Sequence, residues 1–220
     1  MAAERVAVSE QRALTDIFET QRIVAVATIE RAADALPLAD ALFAGGVRVI
    51  EVTLRTAAAC AAIERIRSAR PDAIVGAGTA RDARGFRAAR DAGAQFVVSP
   101  GFTPGLHEAA SAAALPWLPG VATASEILLA HEAGHALLKF FPAEAAGGTR
   151  ALRAFASVFP EVVFCPTGGV TAENVRSYLE LPNVVCVGGT WLAPPALMAA
   201  EQWAKIQELA ARAVELARAN

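Results

Sequence analysis

The chain has 220 residues, 55% of them hydrophobic, with 20 basic against 22 acidic side chains and a formal net charge of -2. That length and apolar content suffice for one sizeable core, so we expect a single domain over residues 1–220. The charge balance excludes a global positive field for nucleic acid or an anionic membrane surface, and the alanine-rich apolar runs fall well short of the roughly 20 residues that span a bilayer.

The opening Met-Ala-Ala-Glu-Arg carries no apolar signal region behind a basic start, which predicts a cytoplasmic protein. A short amphipathic lead runs from about Ser9 to Thr20. After it, compact β-branched runs alternate eight times with alanine-rich stretches of helical period. The strand-like runs are Arg22 to Thr28, Val47 to Leu54, Ala73 to Thr79, Gln95 to Pro100, Pro116 to Val121, Ala136 to Phe141, Val162 to Thr167 and Val184 to Gly189. Gly45-Gly46, Gly93 and Gly134 stand where helices should stop, because glycine accepts the positive φ of a helix end. Thr103-Pro104 and Thr171-Ala172-Glu173 read as helix starts. A last helix from Pro195 to about Arg218 would complete the shell. Eight βα units without a change of composition predict an α/β fold of the (β/α)8 TIM-barrel type, with an open doubly wound sheet as the lesser alternative. In such a barrel, chemistry gathers at the C-terminal ends of the strands.

The basic residues are nearly all arginine; only Lys139 and Lys205 are lysine. An amine can lose its proton and attack a carbonyl, which guanidinium cannot. Lys139 lies near the end of the apolar run Ala136 to Ala143, and period-two alternation puts Leu137, Lys139 and Phe141 on one face. With Leu138 and Phe140 turned to the helices, the Lys139 face points inward as a candidate nucleophile; a lysine stretching to solvent at the rim is the bland alternative. In Val49 to Arg55 the same alternation sets Glu51, Thr53 and Arg55 on one face. Glu51 could move protons and Arg55 could clamp a carboxylate in a two-pronged hydrogen bond. A structural ion pair of Glu51 with Arg55 or Lys139 stays open beside that reading. Gly76-Ala-Gly-Thr79 offers a hydroxyl and close backbone approach. Thr167-Gly168-Gly169 and Gly188-Gly189-Thr190 follow the seventh and eighth runs, where bare amides form a common barrel phosphate site.

His131-Glu-Ala-Gly-His135 matches the zinc motif HExxH, but Gly134 reads as a helix terminator and the motif precedes a strand, at the face opposite the chemistry. Solvated helix-end histidines account for it, and no metal is expected. Cys60, Cys165 and Cys186 form no CxxC pair and read as buried small hydrophobes.

Over nearly its whole length the chain resembles the 2-keto-3-deoxy-6-phosphogluconate aldolase family, which includes 4-hydroxy-2-oxoglutarate aldolase activity. The likeness is carried by GGVRVIEVTLRT, IVGAGT, GAQFVVSPG, LKFFPAE, FCPTGGV and VGGTW. It implies a class I aldolase, usually a homotrimer, that needs no cofactor and splits a 2-keto acid sugar phosphate into pyruvate and glyceraldehyde 3-phosphate. By position, Lys139 resembles the Schiff-base lysine, Glu51 the general acid/base, and Arg55 with Thr79 the site of the pyruvyl carboxylate. Phe141 would wall the pocket, and Thr167, Gly168, Gly169, Gly188, Gly189 and Thr190 would receive the phosphate. Where some relatives carry an arginine after the first strand, this chain has Thr28-Ile29. The rivals are a phosphosugar isomerase or epimerase on a similar barrel and a binding barrel without turnover.

Overall fold

A computed structural model describes residues 2–218, with side chains from residue 12 onward. The expectation about a signal at the N-terminus therefore lies partly outside the described residues, as do the side chains at the start of the amphipathic lead. The chain runs α1 (Ala2–Gln21), β1 (Ile23–Ala27), a 3-10 turn (Ala32–Asp34), α2 (Ala35–Ala44), β2 (Val49–Thr53), α3 (Ala59–Ala69), β3 (Ile74–Gly78) and α4 (Ala83–Asp91). It continues through β4 (Phe96–Val98), α5 (Pro104–Ala113), β5 (Trp117–Leu118), β6 (Gly120–Val121), α6 (Ala124–Glu132) and β7 (Leu137–Phe140). The last elements are α7 (Gly148–Val158), β8 (Val163–Pro166), α8 (Val175–Leu179), β9 (Val187–Gly189), α9 (Pro195–Ala199) and α10 (Trp203–Arg218).

This is an α/β fold with parallel sheets, ordered β5-β4-β3-β2-β1-β9 and β6-β7-β8. The fifth run of the sequence is divided into β5 and β6 at Pro119, which has no N–H to give a ladder. The Pro119 carbonyl still accepts from the Lys139 amide at 2.8 Å, so the segment keeps its place beside β7. Single bridges Phe164↔Val184 and Thr167↔Gly188 carry the pairing from β8 to the β9 segment.

Alternation along each strand separates two cores. Ala25, Ile50, Val52, Val75, Val97, Leu138, Phe140 and Phe164 pack outward under the helices. Val24, Val49, Phe96, Val98, Leu118, Leu137 and Cys165 meet in a second, inner cluster, drawn from both sheets. α1 supplies Leu14 and Phe18 to that inner cluster, and Phe18 lies edge-on to Phe96 at 5.5 Å. The lead helix is thus a stopper for the end of the interior from which the strands start, and burying one such phenylalanine contributes about 1.5–3 kcal/mol.

The predicted helix stops hold, with φ of +89° at Gly46, +77° at Gly93 and +91° at Gly134. Thr103 caps α5 through its hydroxyl, with Pro104 in the first turn, as predicted. Thr171 does not open its helix: its hydroxyl takes the Glu173 amide at 3.3 Å in a local turn, and α8 begins only at Val175. The last helix is also broken, into α9 and α10, where Glu201 takes a left-handed φ of +52°. Among the described residues no helix is long and apolar enough to cross a membrane.

Candidate active site

Lys139 and Glu51 approach each other from strands of different sheets. Lys139 on β7 is 6% exposed and Glu51 on β2 is 3% exposed, and the Lys139 Nζ lies 3.5 Å from Glu51 Oε1. Both point from the inner face, just beyond the apolar cluster of Leu137, Val49 and Phe96. An ion pair closed off from water is costly unless its partners are fixed, and here the surroundings fix them. The ring of Phe141 has its centroid 5.1 Å from Nζ, giving the ammonium a second, cation–π neighbour. Glu51 Oε1 occupies the place of a missing side chain: a Cβ on Gly78 would sit 2.1 Å from it. The glycine of the Gly76-Ala-Gly-Thr79 run is therefore needed for space, so that the carboxylate can lie over β3.

Arg55 is exposed just past the end of β2, and its Nη2 donates to Thr28 Oγ1 at 2.8 Å. Thr28 Oγ1 in turn lies 3.0 Å from the hydroxyl of buried Thr53. The guanidinium is thereby held above the mouth of the strands by a hydroxyl from the neighbouring β1 loop. The sequence pattern puts Thr53 on this face without a task and marks Thr28 only as a departure from the family; both belong to the hold on Arg55. Thr79 follows β3 with a left-handed φ of +63°, a conformation that a β-branched residue rarely adopts. Strain of this kind collects where a side chain must be aimed at a ligand.

The two glycine loops meet. Thr167 bridges Gly188, and a Cβ on Gly188 would lie 2.3 Å from Thr167 Oγ1, so only glycine allows the approach. Gly168 and Gly169 take φ of +96° and +82°, and a Cβ on Gly168 would come 3.3 Å from the Phe141 ring. That ring thus stands between the lysine and the glycine loops. A Cβ on Gly189 would strike the ring of Trp191 at 1.7 Å, and Thr190 is exposed beside them. Chemically the arrangement offers a buried amine with an adjacent proton carrier, an anchored guanidinium, and two meeting turns of backbone.

The two histidines of the HExxH sequence part company. His131 faces Glu161, at 3.4 Å, while His135 Nε2 lies 3.1 Å from His107 Nδ1. His135 also corrects the expectation of a solvated helix-end residue: it is only partly exposed, 5.0 Å from the Trp117 ring and 6.0 Å from that of Phe102. Burial, and then His107, push its pKa down from 6.5 to about 4. No group of three or more potential metal ligands occurs among the described residues.

Known proteins resemble the chain over most of its length. The family model for KDPG and KHG aldolase matches residues 14–209. The 2-dehydro-3-deoxy-phosphogluconate aldolase of Pseudomonas aeruginosa is 52% identical over 88% of both chains. The KHG/KDPG aldolase of Escherichia coli K12 is 46% identical over 92% of this chain and 95% of its own. Among solved structures, the KDPG aldolase of Legionella pneumophila, with pyruvate captured as a covalent carbinolamine, superposes with a TM-score of 0.87. It is 45% identical and covers 90% of this chain and 96% of its own. The Zymomonas mobilis enzyme with 3-phosphoglycerate also gives 0.87, at 44% identity, over 95% and 98% of the two chains. The chain therefore belongs to the KDPG and KHG aldolase family.

Proposed function

We propose that this protein is a class I aldolase that cleaves 2-dehydro-3-deoxy-6-phosphogluconate into pyruvate and glyceraldehyde 3-phosphate through a Schiff base on Lys139. The observation that carries the reading is the buried Lys139 amine 3.5 Å from the buried Glu51 carboxylate. Relatives named for this reaction at 46–52% identity support it. Glu51 takes a proton from the Lys139 ammonium, the freed amine adds to the C2 carbonyl, and Glu51 returns the proton to the carbinolamine hydroxyl, which leaves as water to give an iminium ion. Glu51 takes the C4 hydroxyl proton as the C3–C4 bond breaks, the aldehyde departs, and the bonding electrons pass to the nitrogen as an enamine. Return of the proton from Glu51 to C3 regenerates the iminium, and addition of water releases pyruvate and restores the Lys139 ammonium beside the Glu51 carboxylate. Arg55 with Thr79 holds the carboxylate end, Phe141 walls the pocket, and the turns at Thr167, Gly168 and Gly169 and at Gly188, Gly189 and Thr190 take the phosphate. Binding at both ends orients the labile bond.

The same lysine serves the shorter 4-hydroxy-2-oxoglutarate, giving pyruvate and glyoxylate, and the two substrates are separated by comparing kcat/KM. The reading includes a single domain whose β5–β6 segment and β8-to-β9 bridges close eight strands into a (β/α)8 barrel, working as a cytoplasmic homotrimer. Sedimentation at three times the 22.8 kDa chain mass would agree with that assembly, and at one times would sink it.

The deciding experiment is intact mass after incubation with pyruvate and borohydride, beside Lys139→Ala. A pyruvyl adduct on the wild type that vanishes in the variant is the expected result. An unmodified wild type would overturn the aldolase.

A further inference from the structure

Behind the glycine loop that follows β8 lies a group of side chains with no part in the carbon–carbon chemistry. The Tyr178 hydroxyl on α8 donates to Glu144 Oε1. Asn174 Nδ2 donates to the same oxygen at 3.3 Å and to the Gly169 carbonyl at 3.0 Å, while its Oδ1 accepts from the Thr171 amide at 2.8 Å. The neighbouring backbone joins in: Ala143 N–H donates to the Thr167 carbonyl at 2.8 Å and Glu144 N–H to the Gly168 carbonyl at 3.1 Å. The carbonyls of Thr167, Gly168 and Gly169 are thus each held from behind the loop.

In a trans peptide the C=O and the following N–H point in opposite directions. Holding three successive carbonyls to the rear therefore turns the amides of Gly168, Gly169 and Val170 to the front, and the positive φ of both glycines makes the turn possible. Such a run of amides is an anion-binding concavity. The loop rests directly on Glu144, whose Cγ would be 2.6 Å from a Cβ on Gly169.

Resting on the aldolase reading above, we propose that Glu144, held by Tyr178 and Asn174, is a positioning residue that aims the amides of residues 168–170 at the substrate phosphate. It touches no reacting atom. Its loss should be felt by phosphorylated ligands alone.

The test uses Glu144→Ala, Tyr178→Phe and Glu144→Gln, the last keeping an oxygen that can accept the same two hydrogen bonds. Steady-state kinetics are measured on the 6-phosphorylated substrate and on its unphosphorylated counterpart, with inorganic phosphate as a competitive inhibitor. Glu144→Ala and Tyr178→Phe should raise KM for the phosphorylated substrate, and the inhibition constant of phosphate, about tenfold, the scale of a lost charge-assisted hydrogen bond. Their kcat, and KM for the unphosphorylated substrate, should stay within roughly twofold of wild type, with Glu144→Gln close to normal throughout. Equal losses on both substrates, or none on either, would overturn the proposal. Should Glu144→Ala fail to fold, Tyr178→Phe removes a single oxygen and carries the test. A wild-type chain without a pyruvate adduct sinks the aldolase itself; wild-type turnover with unaltered variants sinks only the role of Glu144.

Discussion

Lys139 and Glu51 show what a buried ion pair costs the molecule that keeps it. Each loses its hydration, and a contact of 3.5 Å returns only part of that loss. Replacing one partner strands the other, so Lys139→Met alone should destabilise by about 3 kcal/mol or more. The double variant Lys139→Met, Glu51→Gln should recover that loss and melt no lower than the wild type, while being wholly inactive. Thermal unfolding of the three proteins checks this, and a double variant as weak as the single one would show that the pair is a net support of the fold. At this scale the sequence is informative where residues neighbour one another along a strand: alternation puts Lys139 on one face with Leu137, and the structure turns that face inward. The sequence is silent where partners are distant. Glu144 sits within a motif but its partner Tyr178 is 34 positions away, and nothing in either neighbourhood announces the contact.

Contacts between elements explain which local signals survive. Thr103 and Pro104 define the start of α5 by themselves, because a cap and a first-turn proline act within one turn. Thr171 carries the same cap chemistry, yet its hydroxyl closes a shorter turn while Asn174 is drawn to the glycine loop. The division at Pro119 is legible in principle, since proline interrupts a ladder, whereas the break at Glu201 has no sequence marker we can identify. Between α5 and the turn after α6, His107 and His135 form another contact of this kind. His135 stays neutral in the fold down to about pH 4, but the unfolded chain binds its proton below 6.5. The unfolded state therefore binds more protons across that window, and stability falls as pH drops from 6.5 towards 4, by at most about 3 kcal/mol. Melting temperatures over this range should fall more steeply for the wild type than for His135→Phe. Parallel slopes would remove His135 as the cause.

For the whole molecule, repeated βα alternation made the parallel α/β layout readable before any contact was known, because each strand buries both faces and each helix one. What no local pattern could supply is how the inner face is assembled. Val24, Phe96, Leu137 and Cys165 come from strands far apart in the chain, and Phe18 joins them from a helix outside the repeat. The Lys139–Glu51 pair therefore stands above an interior whose far end is closed by α1.

That closed interior also contains a clock. Cys165 and Cys186 are shut in the inner cluster, and burial raises the Cys186 thiol well above its ordinary range, so neither meets a water-borne alkylating reagent while the fold is intact. Cys60, half-buried against α4, stands outside that cluster. Time-resolved alkylation read by mass should then show one thiol modified ahead of the other two. The lag between them records how often the inner cluster opens to solvent, and a tightly bound product analogue should lengthen it.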